Sequence, residues 1–181
     1  MHHPLQTTLA GNQRWLFWPL LCLTFIVMAV LNWIDLPLKT AAAPHGIVSF
    51  ELAGDAANAR TMLDSWDSPA RIAAGFSLGF DYLFLCCYST SIAFGCVWAA
   101  TKLHTRFAWV VTCGLALAWG QWLAAIFDAV ENYALLQQLF HGPDATWTVL
   151  AWWCAVLKFV LVILGLGYFL LGLSTWLLRR T

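Results

Sequence analysis

The chain has 181 residues, 61% of them apolar and 10% charged, with a mean hydropathy of +0.73. Soluble domains run nearer roughly 45–50% apolar and about 25% charged, which excludes a water-soluble globule, a disordered segment, a secreted disulfide module and a cytosolic enzyme. Nine basic and nine acidic residues cancel, so there is no basic surplus to hold nucleic acid.

Four apolar stretches are each long enough to cross a hydrocarbon core of roughly 30 Å, which takes about 20 helical residues. They are predicted over residues 15–36, 70–100, 106–139 and 146–178. Twelve Trp and twelve Phe suit lipid-facing helices with interfacial aromatic belts. Membrane strands are set aside, because they alternate over about ten residues and these runs are continuously apolar. The first run is longer than the roughly 7–15 residues of a signal-peptide core, so it is read as a span despite Ala41-Ala42-Ala43 behind it.

Between the first two spans lies a loop over residues 37–69. Val48, Phe50 and Leu52 alternate with Ser49 and Glu51, which predicts a short extended segment. Gly54 breaks it, and Asp55 is placed to cap a helix from Ala56 to about Trp66. On that helix Ala56, Ala59, Leu63 and Trp66 share a face, with Arg60, Asp64 and Asp67 on or near the other side. Such a segment is expected to lie in the interface plane, either packed on the helix ends or acting as a lid. Ser68-Pro69 opens the second span, and Gly142-Pro143 separates the third from the fourth. The expected fold is therefore all-α: an integral membrane four-helix bundle in a single transmembrane domain, with an extended segment and an amphipathic helix in its outer loop.

Orientation is read from Lys and Arg. Arg14, Lys102, Arg106, Arg179 and Arg180 fall on one side if every span crosses. The other side mixes Lys39, Arg60 and Arg71 with Glu51, Asp55, Asp64 and Asp67. Both termini are thus expected in the cytoplasm of a cell inner or plasma membrane. Cys22, Cys86, Cys87, Cys96, Cys113 and Cys154 all fall in the spans with no C-x-x-C pair, which argues against a thiol redox centre or a thiolate zinc site.

Ionisable residues inside spans are costly and are functional candidates by default. Asp81, Asp128, Glu131 and Lys158 are of this kind. At 1.5 Å per residue they lie about 7, 9, 13 and 6 Å from the midplane, all toward the outer face. Gln121, Asp128 and Glu131 share one helix face, with Asn132 a turn beyond Asp128. Ser77, Asp81 and Tyr88 align on the second span, and Ala151, Cys154, Ala155, Lys158 and Gly165 on the fourth. One polar face per helix is what an interior polar site requires.

Two readings follow. In one, Lys158 neutralises Asp81 or Asp128, while Asn132, Gln121, Tyr82 and Tyr88 satisfy the remaining oxygens, and the network only fixes packing. In the other, three carboxylates share one lysine, and Glu51 from the loop makes four. That excess requires protons, hydration or a bound cation. The candidate ligand-binding set is Glu51, Asp81, Tyr88, Gln121, Asp128, Glu131, Asn132 and Lys158. An all-oxygen set of Asp81, Asp128, Glu131 and Asn132, with Glu51 as a further donor, would suit calcium or magnesium, although Lys158 opposes a metal, and no histidine lies in the spans.

The first function expected is binding or permeation of a proton, a small cation or an amphipathic molecule with a positive head. Trp119, Trp122, Trp152 and Trp153 would serve either as its walls or as lipid-facing bulk. An intramembrane enzyme acting on a lipid or isoprenoid, with Asp81 and Asp128 as its acid–base pair, is the second. The third is a subunit of an oligomer or larger membrane complex, with Gly75/Gly79 and Gly165/Gly172 against partner helices. No nucleophile-elbow, zinc-protease, P-loop or dinucleotide motif is present.

Overall fold

The computed structural model describes residues 2–10, 14–103 and 108–178. These form α1 (Leu5–Ala10), α2 (Phe17–Ile34), α3 (Ile47–Glu51), α4 (Ala56–Asp64), α5 (Ser68–Lys102), α6 (Ala108–His141) and α7 (Ala145–Leu178), with no strand among the described residues. Four helices are long and apolar enough to span a bilayer: α2 with 18 residues, α5 with 35, and α6 and α7 with 34 each. The fold is all-α, and the protein is a multi-pass integral membrane protein. At 1.5 Å per residue the three longest helices reach about 50 Å, past the hydrocarbon core at their ends. Arg106, Arg179 and Arg180, used above for orientation, lie outside the described residues.

Contacts divide the chain into two units. One comprises Phe25–Leu85 and Ile126–Leu157; the other comprises Met1–Thr24, Cys86–Ala125 and Lys158–Thr181. All nine Asp and Glu belong to the first, together with Lys39, Arg60 and Arg71. The second contains no Asp or Glu at all. We refer to them as the carboxylate-rich and the acid-free unit.

In the carboxylate-rich unit, α3 and α4 contribute to one core with stretches of α5, α6 and α7. Phe50, Leu63, Trp66, Leu78 and Leu135 are buried in it. The Phe50 and Trp66 rings meet edge to face at 5.4 Å, and Trp66 Nε1 donates to the Leu38 carbonyl at 2.8 Å. Asp55 caps α4 by accepting from Asn58 N at 2.8 Å, and Ala59 and Leu63 are buried while Arg60 and Asp64 are exposed. The amphipathic helix is thus present, and it packs on the unit's core.

The extended segment expected at residues 47–52 is instead helical, as α3. Its buried face is Phe50 and Glu51, with Ile47 partly buried, whereas Val48 and Leu52 are exposed. Over so few residues the two periodicities share Phe50, so alternation alone did not separate them. What favours the helix is a cap distant in sequence: Asp35 Oδ1 accepts from Ile47 N at 2.7 Å. Gly46 precedes it at φ +58°, where an added Cβ would overlap the Asp35 carboxylate. At the start of α5 the capping acceptor is Asp67, which takes Ala70 N at 2.9 Å, rather than Ser68. Gly142, at φ +88°, turns the chain from α6 toward α7.

Asp35 is buried, and burial pushes its carboxyl above the usual range against the pull of the Ile47 N–H and of Lys39, 3.8 Å away. A raised folded-state value means that this group favours the fold most at acidic pH and loses that contribution as pH rises through it. Asp35→Asn keeps an acceptor for Ile47 N without a charge to bury. It is expected to leave stability at neutral pH unchanged or higher and to flatten the pH dependence above the ordinary carboxylate range, read by thermal unfolding.

The acid-free unit packs backbone on backbone. A Cβ added at Gly172 would overlap Ala99 Cβ and stand 3.0 Å from Ala99 Cα. One added at Gly165 would overlap Gln121 Nε2 and stand 3.1 Å from Ile92 Cγ2. Thr24 and Ser91 share a buried hydrogen bond of 3.0 Å, and Tyr168 donates to the Val110 carbonyl at 3.0 Å. Within the carboxylate-rich unit, Leu139 lies 3.5 Å from a Cβ built on Gly75. The small faces at Gly75, Gly165 and Gly172 are therefore occupied by this chain's own side chains, and only at Gly79 is there open space within 4 Å.

Candidate functional site

α6 carries Asp128, Glu131 and Asn132 at spacings of three and four, on one helical face. That face is buried: Glu131 is 0% exposed, Asn132 1% and Asp128 3%. α5 brings Asp81 to it, and Asn132 Nδ2 donates to Asp81 Oδ2 at 2.7 Å. One turn of α6 before Asn132 and Tyr133, the Ala129 carbonyl accepts from the Tyr82 hydroxyl at 3.0 Å. Tyr82 thus uses its hydroxyl on α6 backbone rather than on a carboxylate. Glu51 is buried at the end of α3. Glu51, Asp81, Asp128, Glu131 and Asn132 therefore all belong to the carboxylate-rich unit.

The other three expected residues lie in the acid-free unit. Gln121 is fully buried and its amide nitrogen donates to the carbonyls of Leu161, at 2.8 Å, and Leu117, at 3.3 Å. This bond is why Gly165 stands one turn on: any side chain there would displace the amide. Tyr88 and Lys158 are buried, and Lys158 Nζ lies 5.1 Å from the centroid of the Phe159 ring.

The carboxylate-rich unit holds three bases. Lys39 stands 3.8 Å from Asp35, Arg71 stands 3.7 Å from Asp64, and Arg60 is exposed. Arg71 also donates to the Leu63 carbonyl at 2.7 Å, so its guanidinium secures the α4–α5 junction. Among the described residues no group of three or more His, Cys, Asp or Glu is arranged to hold a metal ion.

Three features went unread in the sequence. His3 is 0% exposed and packs against Trp119 and Trp122, both with ring centroids at 4.8 Å. Trp119 and Trp122 are themselves in contact at 5.1 Å, so these two rings do not face lipid alone. Asp35 is buried as the cap of α3. Gln138 and Thr148, both buried, pair at 2.7 Å across the α6–α7 turn. Polar residues flanking apolar runs were the available signal for all three, but that signal does not say which of them fold inward. No family model, curated protein or solved structure matches the chain.

Proposed function

We propose that this membrane protein binds or permeates a proton or a small positively charged ligand at the acids of its carboxylate-rich unit. Glu51, Asp128 and Glu131, all buried, and Asp81, held by Asn132, form the site. The reading rests on one observation. Four acids, three of them buried, belong to the unit that holds all nine acids of the chain and only three of its nine Lys and Arg.

Counting Lys158 as a neutraliser still leaves four carboxylates to one ammonium. In a low-dielectric setting that surplus is balanced by protons or by a bound cation. The absence of a three-donor cluster among the described residues favours protons or a monovalent organic cation over a hard divalent metal. In our reading both termini lie in the cytoplasm of an inner or plasma membrane, because Arg14, Lys102, Arg106, Arg179 and Arg180 then follow the positive-inside rule.

The test uses full-length protein in zwitterionic liposomes. Proton entry after an external pH step and equilibrium binding of tetraethylammonium are measured for wild type and Asp128→Asn. Wild type is expected to show a saturable response to at least one probe, and the variant to lose it about tenfold or more at unchanged folded yield. No wild-type response to either probe would overturn the proposal. So would a variant whose lost response only tracks lost folded protein, which would leave a packing network.

One observation favours a second reading. Asp81 receives a neutral amide donor while Asp128 is buried on the adjoining helix face, so two carboxylates occupy different environments, the pattern of an acid–base pair acting on a membrane lipid.

A further inference from the structure

The segment before the first span, over residues 2–10, is held against the acid-free unit. Leu5 is buried with Ala93, Phe94, Val97, Leu115 and Ala118. Trp119 Nε1 donates to the His2 carbonyl at 3.3 Å. The His3 backbone N–H donates to Gln6 Oε1 at 2.8 Å, and Gln6 N donates to the His3 carbonyl at 2.9 Å. At the centre is the His3 imidazole. Its Nδ1 accepts from Leu5 N at 3.2 Å, while its buried Nε2 has no hydrogen-bond partner.

An Nδ1 that accepts is unprotonated, so the neutral ring carries its proton on Nε2. Adding a second proton takes the lone pair that Leu5 N uses and places a cation on a ring that is itself 0% exposed. The environment offers that cation no counter-ion, since the acid-free unit contains no Asp or Glu. On the stretches packed around Leu5 the titratable side chains are Cys22 on α2, Cys96 on α5 and Tyr168 on α7, with Tyr88, Lys102 and Cys113 further along α5 and α6. On its own segment His3 has only the exposed His2. None of these presents a negative charge at mildly acidic pH.

We propose that residues 2–10 form a pH-responsive latch on the acid-free unit, closed by neutral His3 packed on Trp119 and Trp122 and opened when His3 is protonated. Burial holds the His3 pKa below the ordinary imidazole value. The latched state therefore binds protons less readily than the released one. The latch is at full strength above the released-state value and weakens as pH falls below it. Opening exposes the Trp119/Trp122 face of α6.

The test is hydrogen exchange of residues 2–10 in the full chain in lipid nanodiscs, corrected for intrinsic exchange, from about pH 7.5 to about pH 5. In wild type the open-to-closed ratio is expected to rise by up to about tenfold per pH unit below the free imidazole value. His2→Gln should keep that rise, because His2 is exposed. His3→Gln should abolish it, being either protected or open at every pH. Protection of the carboxylate-rich unit reports that the rest of the chain stays folded. A flat wild-type profile, the same rise in His3→Gln, or loss of the rise in His2→Gln would each overturn the latch.

Discussion

Gly172→Leu is expected to lower the stability of the folded protein by about 3 kcal/mol, at the upper end of what overpacking costs. Even the first atom of a side chain at this position overlaps Ala99 Cβ and crowds Ala99 Cα. A flexible neighbour would rotate away, but a backbone atom moves only if α5 or α7 moves with it. Separation would strain the rings beside the contact, where Trp98 meets Phe169 at 6.0 Å and Trp176 at 5.8 Å. Gly167→Leu supplies the comparison, because nothing lies within 4 Å of a Cβ at Gly167 on the same helix. It is expected to change stability by no more than about 0.5 kcal/mol. Denaturant titration in one detergent reads both. Equal stabilities would mean that α5 and α7 do not meet at Gly172.

Asn132→Leu is expected to cost about 2–3 kcal/mol, since it takes a charge-assisted donor from Asp81 and places nothing polar in its stead. The loss exceeds the net worth of an ordinary hydrogen bond because a partly buried carboxylate oxygen loses this donor with no water to replace it at full strength. Asp81→Leu combined with Asn132→Leu should cost less than the sum of the two single changes, because neither half of the pair is then stranded. The cycle is expected to give a coupling of about 1–2 kcal/mol. Strict additivity would show that the 2.7 Å contact contributes nothing to stability. The functional experiment on Asp128 is separate from this one, since it compares a ligand response with folded yield.

Much of the architecture was legible because its cause is local. Phe17–Ile34 and the three longer helices announce themselves by uninterrupted apolar length, which depends on solvent and on helical rise. Ala56–Asp64 was readable from Asp55 and from the spacing of Ala59 and Leu63. The buried stripe of α7, from Ala151 through Cys154, Ala155 and Lys158 to Gly165, followed from the same periodicity. Ile47–Glu51 was misread because it is too short for a period to declare itself, and because its cap, Asp35, is twelve residues earlier. The burial of His3 is not legible locally, because no short-range pattern shows that Trp119 and Trp122 will cover it.

The amino-acid sequence alone determined the solvent, the helical class and the ratio of three carboxylates to one lysine inside the spans, since all three depend on residue identity and local order along the chain. Only the tertiary structure decided which acids share a unit, that Asn132 holds Asp81, and that Gly172 and Gly165 are filled by Ala99 and Gln121 of the same chain. The physical reason is that a helix face is legible from periodicity, but what presses on that face depends on contacts between residues dozens of positions apart, which no short-range pattern encodes.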